Sequence, residues 1–271
     1  MASRDGYFAP ESVIRRVGNT PVTPFLGGGT AVLLQVAHPL VAAGVAEHSS
    51  YDKDIWRRLI RTLRALYLIT YGSKVEADLA AKSVRAAHAR VNGTTTEQLG
   101  IFPPGTAYSA DDPDLMLWVH ATLVHASLCA YQRFERKLSR ADEDRYYREM
   151  ATVAELFGTP AEVIPATLAD HREYFAGQID GSTITVTRPA REIARAIYRS
   201  PLRGPMRMIT PAHRLATTAQ LPPRLRREYD LQLAPLHGTL LAAAGHSMRF
   251  GSRPILHVAG HIRPRRGAAA A

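Results

Sequence analysis

Arg58, Arg61 and Thr62 are spaced i, i+3 and i+4, so a helix through them sets two guanidinium groups and a hydroxyl on one face. Further along, His88 lies in a helical stretch whose same-side neighbours are Ala77, Ala81, Val84 and Val91. Small and apolar neighbours leave room for a flat ring system to approach the imidazole. A neutral imidazole is also the commonest protein metal ligand. A cationic face nearby suits carboxylates or an oxygen species. The plainer alternatives are a hydrogen-bonded structural histidine and a solvated basic face that includes Arg57 and Arg64.

Other residues compete for the same role. His120 and His125 lie in the apolar run 115–125, five positions apart, so they do not share a helical face and grip one metal poorly. His120 reads as a buried, hydrogen-bonded histidine at a pocket and as the main rival to His88. His38 precedes Pro39 in an apolar stretch and needs a polar partner, which makes it a pocket-lining candidate. Glu47 is a candidate general base, with a surface carboxylate as the alternative. Gly27, Gly28, Gly29 and Thr30 could bind an anion at a helix start, but tight helix packing accounts for them equally well. Cys129 reads as core filling. Glu-x-x-His, His-Glu-x-x-His, Gly-Lys-Ser/Thr and Gly-x-Ser-x-Gly are all absent, which argues against di-iron bundles, zincins, P-loops and hydrolase elbows.

These residues need helices to place them, and the pattern is helical almost throughout. A buried helix is expected over 30–46, kinked at Pro39. Asp52 or Asp54 caps a second, closed by Gly72. Ser73 caps a third that carries Glu76 in its first turn and ends at Asn92–Gly93. Residues 94–108 read as a loop. A long helix follows from 109–112 to about 137, and another from 139–142 to Gly158. Further helical stretches are expected at 161–176, 188–199, 202–218, 222–229 and 236–250. Only 179–187 alternates like an extended edge. The fold class is therefore all-α, one globular domain over 1–262, with 263–271 a disordered basic and alanine-rich tail.

Composition narrows the function. The chain has 271 residues, 46% hydrophobic, with a net charge of +10. The basic residues are not interleaved with aromatics into a reading surface, so no nucleic-acid partner is expected. One cysteine excludes an internal disulfide. Residues 17–46 carry no charge, yet prolines and glycines cut the apolar pieces well below the ~20 residues of a spanning helix. No transmembrane segment is expected; peripheral membrane contact and a homodimer stay open. The polar start of the chain implies no signal sequence and a cytoplasmic location.

The segments Arg58-x-x-Arg61-Thr62 and Ala87-His88-Ala89-x-Val91 together resemble the latex clearing protein and MpaB-type oxygenases. That family reads Arg-x-x-Lys-Thr on one helix and Met-His-Ala-x-Val-Arg on a later one. The likeness spans roughly 27–158, including Trp118-Val119-His120-Ala121-Thr122-Leu123, and continues more loosely beyond. It implies a haem b cofactor, iron held by His88, and a pocket in which Arg58, Arg61 and Thr62 line the distal side or hold the cofactor. With the candidates read from the sequence itself, Arg58, His120 and His38 are the further cofactor-binding residues, and Arg61, Thr62 and Glu47 the catalytic ones. Dioxygen and an apolar small molecule would be the partners, with oxidative cleavage of a carbon–carbon double bond as the reaction. Leu33, Leu34, Leu117 and Leu123 are channel candidates. Arg61 replaces the family's lysine, and a guanidinium stays protonated and cannot ligate iron. Arg61 is therefore expected to donate hydrogen bonds to dioxygen or a propionate, with a larger effect than Thr62. A non-catalytic haem binder or sensor is the alternative, and a cofactor-free basic interaction module the third reading.

Overall fold

The computed structural model describes residues 5–20, 22–48, 54–199 and 210–233, with the side chains of 54–59 outside that description. Among these residues the chain forms eleven α-helices and a single two-stranded hairpin, as the all-α reading requires. The order is α1 (Val13–Gly18), a π-helical turn at Thr23–Gly27, α2 (Gly28–Val36), α3 (Pro39–Glu47), α4 (Asp54–Tyr71) and α5 (Lys74–His88). Strands β1 (Asn92–Thr94) and β2 (Ala107–Ser109) follow. The chain continues with α6 (Pro113–Phe134), α7 (Arg140–Phe157), α8 (Leu168–Asp180), α9 (Arg188–Tyr198), α10 (Thr210–Gln220) and α11 (Pro223–Glu228).

The centre is α6, which is apolar on nearly every side and therefore has to be surrounded. Asp112 caps it, its carboxylate accepting from the Asp114 and Leu115 amides at 2.9 and 3.3 Å, and Pro113 fills the first position, where no amide is needed. Helix α2 lies against it and buries Leu33 and Leu34 completely, each contributing roughly 1.5–3 kcal/mol of hydrophobic stabilisation. Gly27 makes the crossing close: a Cβ there would sit 3.1 Å from the Ala126 carbonyl oxygen. Gly29 sits equally tightly beneath α10, with Thr217 Oγ1 2.9 Å from where its Cβ would be. The glycine run thus serves helix packing. Trp118 stacks on Phe175 at 5.7 Å and gives its indole hydrogen to the Gln35 carbonyl at 3.3 Å.

Several expectations are corrected. Pro39 does not kink one helix; it starts a new one, and the helical run ending at Val36 meets α3 at 103°. His38 caps that start, its Nδ1 accepting from the Leu40 amide at 3.2 Å. Helix α5 ends at His88 rather than Asn92, because residues 92–94 pair antiparallel with 107–109 inside the expected loop. Residues 184–187 form no strand. Ile184 and Val186 are buried there, while the Thr185 amide bonds to the Ala37 carbonyl and the Val186 amide to the Glu228 carboxylate. Alternation marked one buried face, and single contacts to helices replaced a ladder. The stretch from 161 is a short 3-10 turn, and α8 begins only after the capping box of Thr167 and Asp170. The tail at 263–271 and the helix expected at 236–250 lie outside the described residues. No single helix among the described residues is long and apolar enough to cross a membrane.

Candidate active site

A cavity of about 200 Å³ opens between α3, α4, α5, β2, α6 and α7. Its walls are largely aliphatic: Leu40, Val41 and Val45 from α3, Leu115, Val119 and Leu123 from α6. His88 and His120 both reach it, from opposite sides in the chain order, and Thr62 stands at its rim. Among the described residues the lining holds no Asp, Glu, Lys or Arg.

His88 is the last residue of α5 and is half-buried. The helix that presents it is fixed by a capping box at the other end, where Ser73 and Glu76 satisfy each other's amides. Ala77 and Ala81 pack inward, so the same face carries Val84 and His88 to the cavity. Helix α4, packed against α5, contributes Thr62. Arg61 is exposed and does not line the cavity, and the side chain of Arg58 lies outside the described residues. Of the two described members of the face expected from spacing, Thr62 reaches the cavity and Arg61 does not.

His120 is 4% exposed, and its Nε2 has no hydrogen-bond partner in the protein. It is buried at the pocket as expected, with the expected hydrogen bond missing at Nε2. Its ring faces those of Tyr147 and His171 at 6.5 and 6.4 Å. Burial, with His171 as a second cause, lowers its pKa to about 3, so the ring is neutral at physiological pH. Burial likewise lowers His171 to about 4, helped by His125 and Arg172. His125 points away, stacked on Phe175 at 4.1 Å. It is lowered to about 4, first by burial and then by Arg172.

Glu47 ends α3 at the surface and accepts the Tyr108 hydroxyl at 2.6 Å. Tyr108 lines the cavity, so Glu47 acts on it only through that phenol. Burial and then Glu47 push the phenol's pKa upward. Gly93 permits the pair: a Cβ there would come within 2.6 Å of the Tyr108 oxygen. His38 does not line the cavity. It is buried as the α3 cap, 5.7 Å from the Phe102 ring, and desolvation lowers it to about 4. Of the four leucines expected in the channel, Leu123 lines it; Leu117 is buried without lining it, and Leu33 and Leu34 belong to a hydrophobic core cluster.

Sequence reasoning missed Tyr108, Tyr147 and His171. Tyr108 sat in a stretch read as loop, with no periodicity to orient it. His171 sits far from the other histidines in sequence, and only the packing of α8 on α6 and α7 brings it near. Among the described residues no three His, Cys, Asp or Glu side chains gather to hold a metal ion. A metal at His88 would draw its remaining donors from elsewhere, as haem iron draws four from the porphyrin.

The sequence profile of a family described as the catalytic domain of the ER-bound oxygenase mpaB/B' and rubber oxygenase matches residues 15–250. The chain belongs to this family. The match includes every element that lines the cavity, so the cavity is part of an oxygenase catalytic domain. Curated relatives include an uncharacterized protein of Mycobacterium bovis and another of Mycobacterium tuberculosis. Each is 26% identical over 207 residues, covering 74% of this chain and 78% of the relative. No solved structure matches.

Proposed function

We propose that this oxygenase-family domain binds haem b through His88 and oxidises an apolar small molecule with dioxygen. The observation that supports it most is His88 at the edge of a cavity whose other walls are aliphatic or neutral. His88, an imidazole set in apolar surroundings, would hold the haem iron. A wall whose described residues carry no charge suits both the porphyrin face and a hydrocarbon. The orphaned Nε2 of His120 marks a place where something other than protein completes the polar contacts.

When bound, haem supplies the redox chemistry toward dioxygen. The protein's own residues hold and orient. His88 donates its ring nitrogen, and Thr62 offers a hydroxyl at the rim that can fix a water or an oxygen atom. Arg61, exposed beside it on α4, can pair with a carboxylate outside the cavity, a role open also to Arg58 on the same helix. Glu47 accepts the Tyr108 proton's hydrogen bond and so offers a proton-exchanging pair between solvent and cavity. Oxidative cleavage of a double bond is the reaction the family resemblance favours.

A second reading, haem binding without turnover, draws support from one feature. Glu47, the candidate base, reaches the cavity only through Tyr108. The absorbance spectrum of the purified protein tests the haem: a Soret band is expected after haemin addition, and failure to take up haemin would remove the proposal. Oxygen consumption with an alkene then separates enzyme from binder.

A further inference from the structure

On this cavity the fold leaves one nitrogen of His120 unemployed. His120 projects from the centre of α6, is 4% exposed, lines the cavity, and leaves Nε2 without a partner. Leaving a buried ring nitrogen unsatisfied costs free energy unless a bound molecule completes it. The Tyr108 hydroxyl is committed to Glu47, and Thr62 is exposed at the rim.

We propose that His120 is the specificity-determining residue of this cavity and selects a neutral, largely hydrocarbon substrate that carries a hydroxyl group. Three observations choose that class. The walls beside His120 are Leu115, Met116, Val119 and Leu123 on its own helix and Val153 and Phe157 on α7, which take a hydrocarbon body. No lining residue among those described is charged, so a carboxylate held between them would be desolvated without a cation to meet it. A neutral imidazole presents Nε2 either as donor or as acceptor, according to tautomer, and a hydroxyl satisfies both. A carbonyl, which only accepts, satisfies one. The proposal rests on this cavity being the substrate site of the oxygenase.

The test uses the full chain, loaded with haem, and calorimetric titration with three probes of similar shape: cyclohexanol, methylcyclohexane and cyclohexanecarboxylate. Hydration differs among the probes, so the quantity read is the ratio of alcohol to alkane affinity, compared between proteins. His120→Phe should lower that ratio by about tenfold, the loss expected for a buried hydrogen bond left unmade, while alkane affinity holds or rises. His120→Gln, which restores a donor and an acceptor, should recover most of the ratio. Cyclohexanecarboxylate should bind the wild type more weakly than either neutral probe.

An unchanged ratio in His120→Phe would overturn the proposal, as would preferred binding of the carboxylate. Loss of the Soret band in both His120 variants would also overturn it, since His120 would then be the iron ligand. These outcomes stand apart from failure of the haem proposal, which shows as absence of the band in the wild type. If the phenylalanine variant does not fold, His120→Leu, which also removes the ring nitrogens, decides by the same ratio.

Discussion

The Tyr108 hydroxyl donates to the Glu47 carboxylate across 2.6 Å and ties the end of α3 to strand β2. This one bond links an exposed acid to the wall of a buried cavity. Tyr108→Phe removes it and should destabilise the fold by about 1 kcal/mol, the low end for a charge-assisted bond because Glu47 is solvated. Gly93→Ala should break the same pair by steric pressure, its Cβ falling 2.6 Å from the phenol oxygen. Chemical denaturation of both variants checks this; a Gly93→Ala protein as stable as wild type would contradict it.

Ligand and rim should separate spectroscopically. His88→Ala is expected to abolish or strongly shift the Soret band, and His120→Ala to leave it in place. With Arg61 exposed and Thr62 on the cavity, Thr62→Ala should weaken azide binding to the ferric protein more than Arg61→Ala does. That reverses the order expected from residue type, where a charged donor outweighs a hydroxyl. Azide titration of the two variants gives the answer directly.

Acid should unfold this protein early. His38, His125 and His171 are lowered to about 4 and His120 to about 3 by burial. Above the ordinary value near 6.5 these rings are neutral in both states, so their contribution to stability is fully present there. As pH falls below that value the unfolded chain takes up protons that the fold refuses. Stability is lost progressively until about pH 4, with a slope of up to roughly 1.4 kcal/mol per pH unit for each ring. The urea midpoint at pH 5 should therefore lie well below that at pH 7.5. Equal midpoints would show that these rings are not buried in the neutral form.

Glycine positions predict opposite signs. Gly29→Ala pushes a methyl against Thr217 Oγ1 and His213 Nε2, at 2.9 and 3.1 Å, and should cost about 1–3 kcal/mol by overpacking. Gly158→Ala places a side chain at φ +104° and should also destabilise. Gly177→Ala, inside α8 with nothing within 4 Å, should instead stabilise by about 0.5–1 kcal/mol through helix propensity. Thermal melts of the three variants test the ordering.

The helical class, the central place of the 113–134 segment and the family were all legible in the sequence. Each rests on local pattern: an uncharged apolar run has to be buried, Ser73, Asp112, Ser139 and Gly158 mark helix ends by their own chemistry, and two short motifs carry the likeness. What tertiary packing decided was which neighbours each chemical group keeps. His38, His88 and His120 look equivalent as letters. One is used up as a helix cap, one comes to rest at a cavity edge at the end of α5, and one is buried with a nitrogen unmatched. The difference arises because burial and hydrogen bonding depend on elements far apart in the chain, such as α7 and α8 closing over His120, and periodicity along one helix carries no information about those.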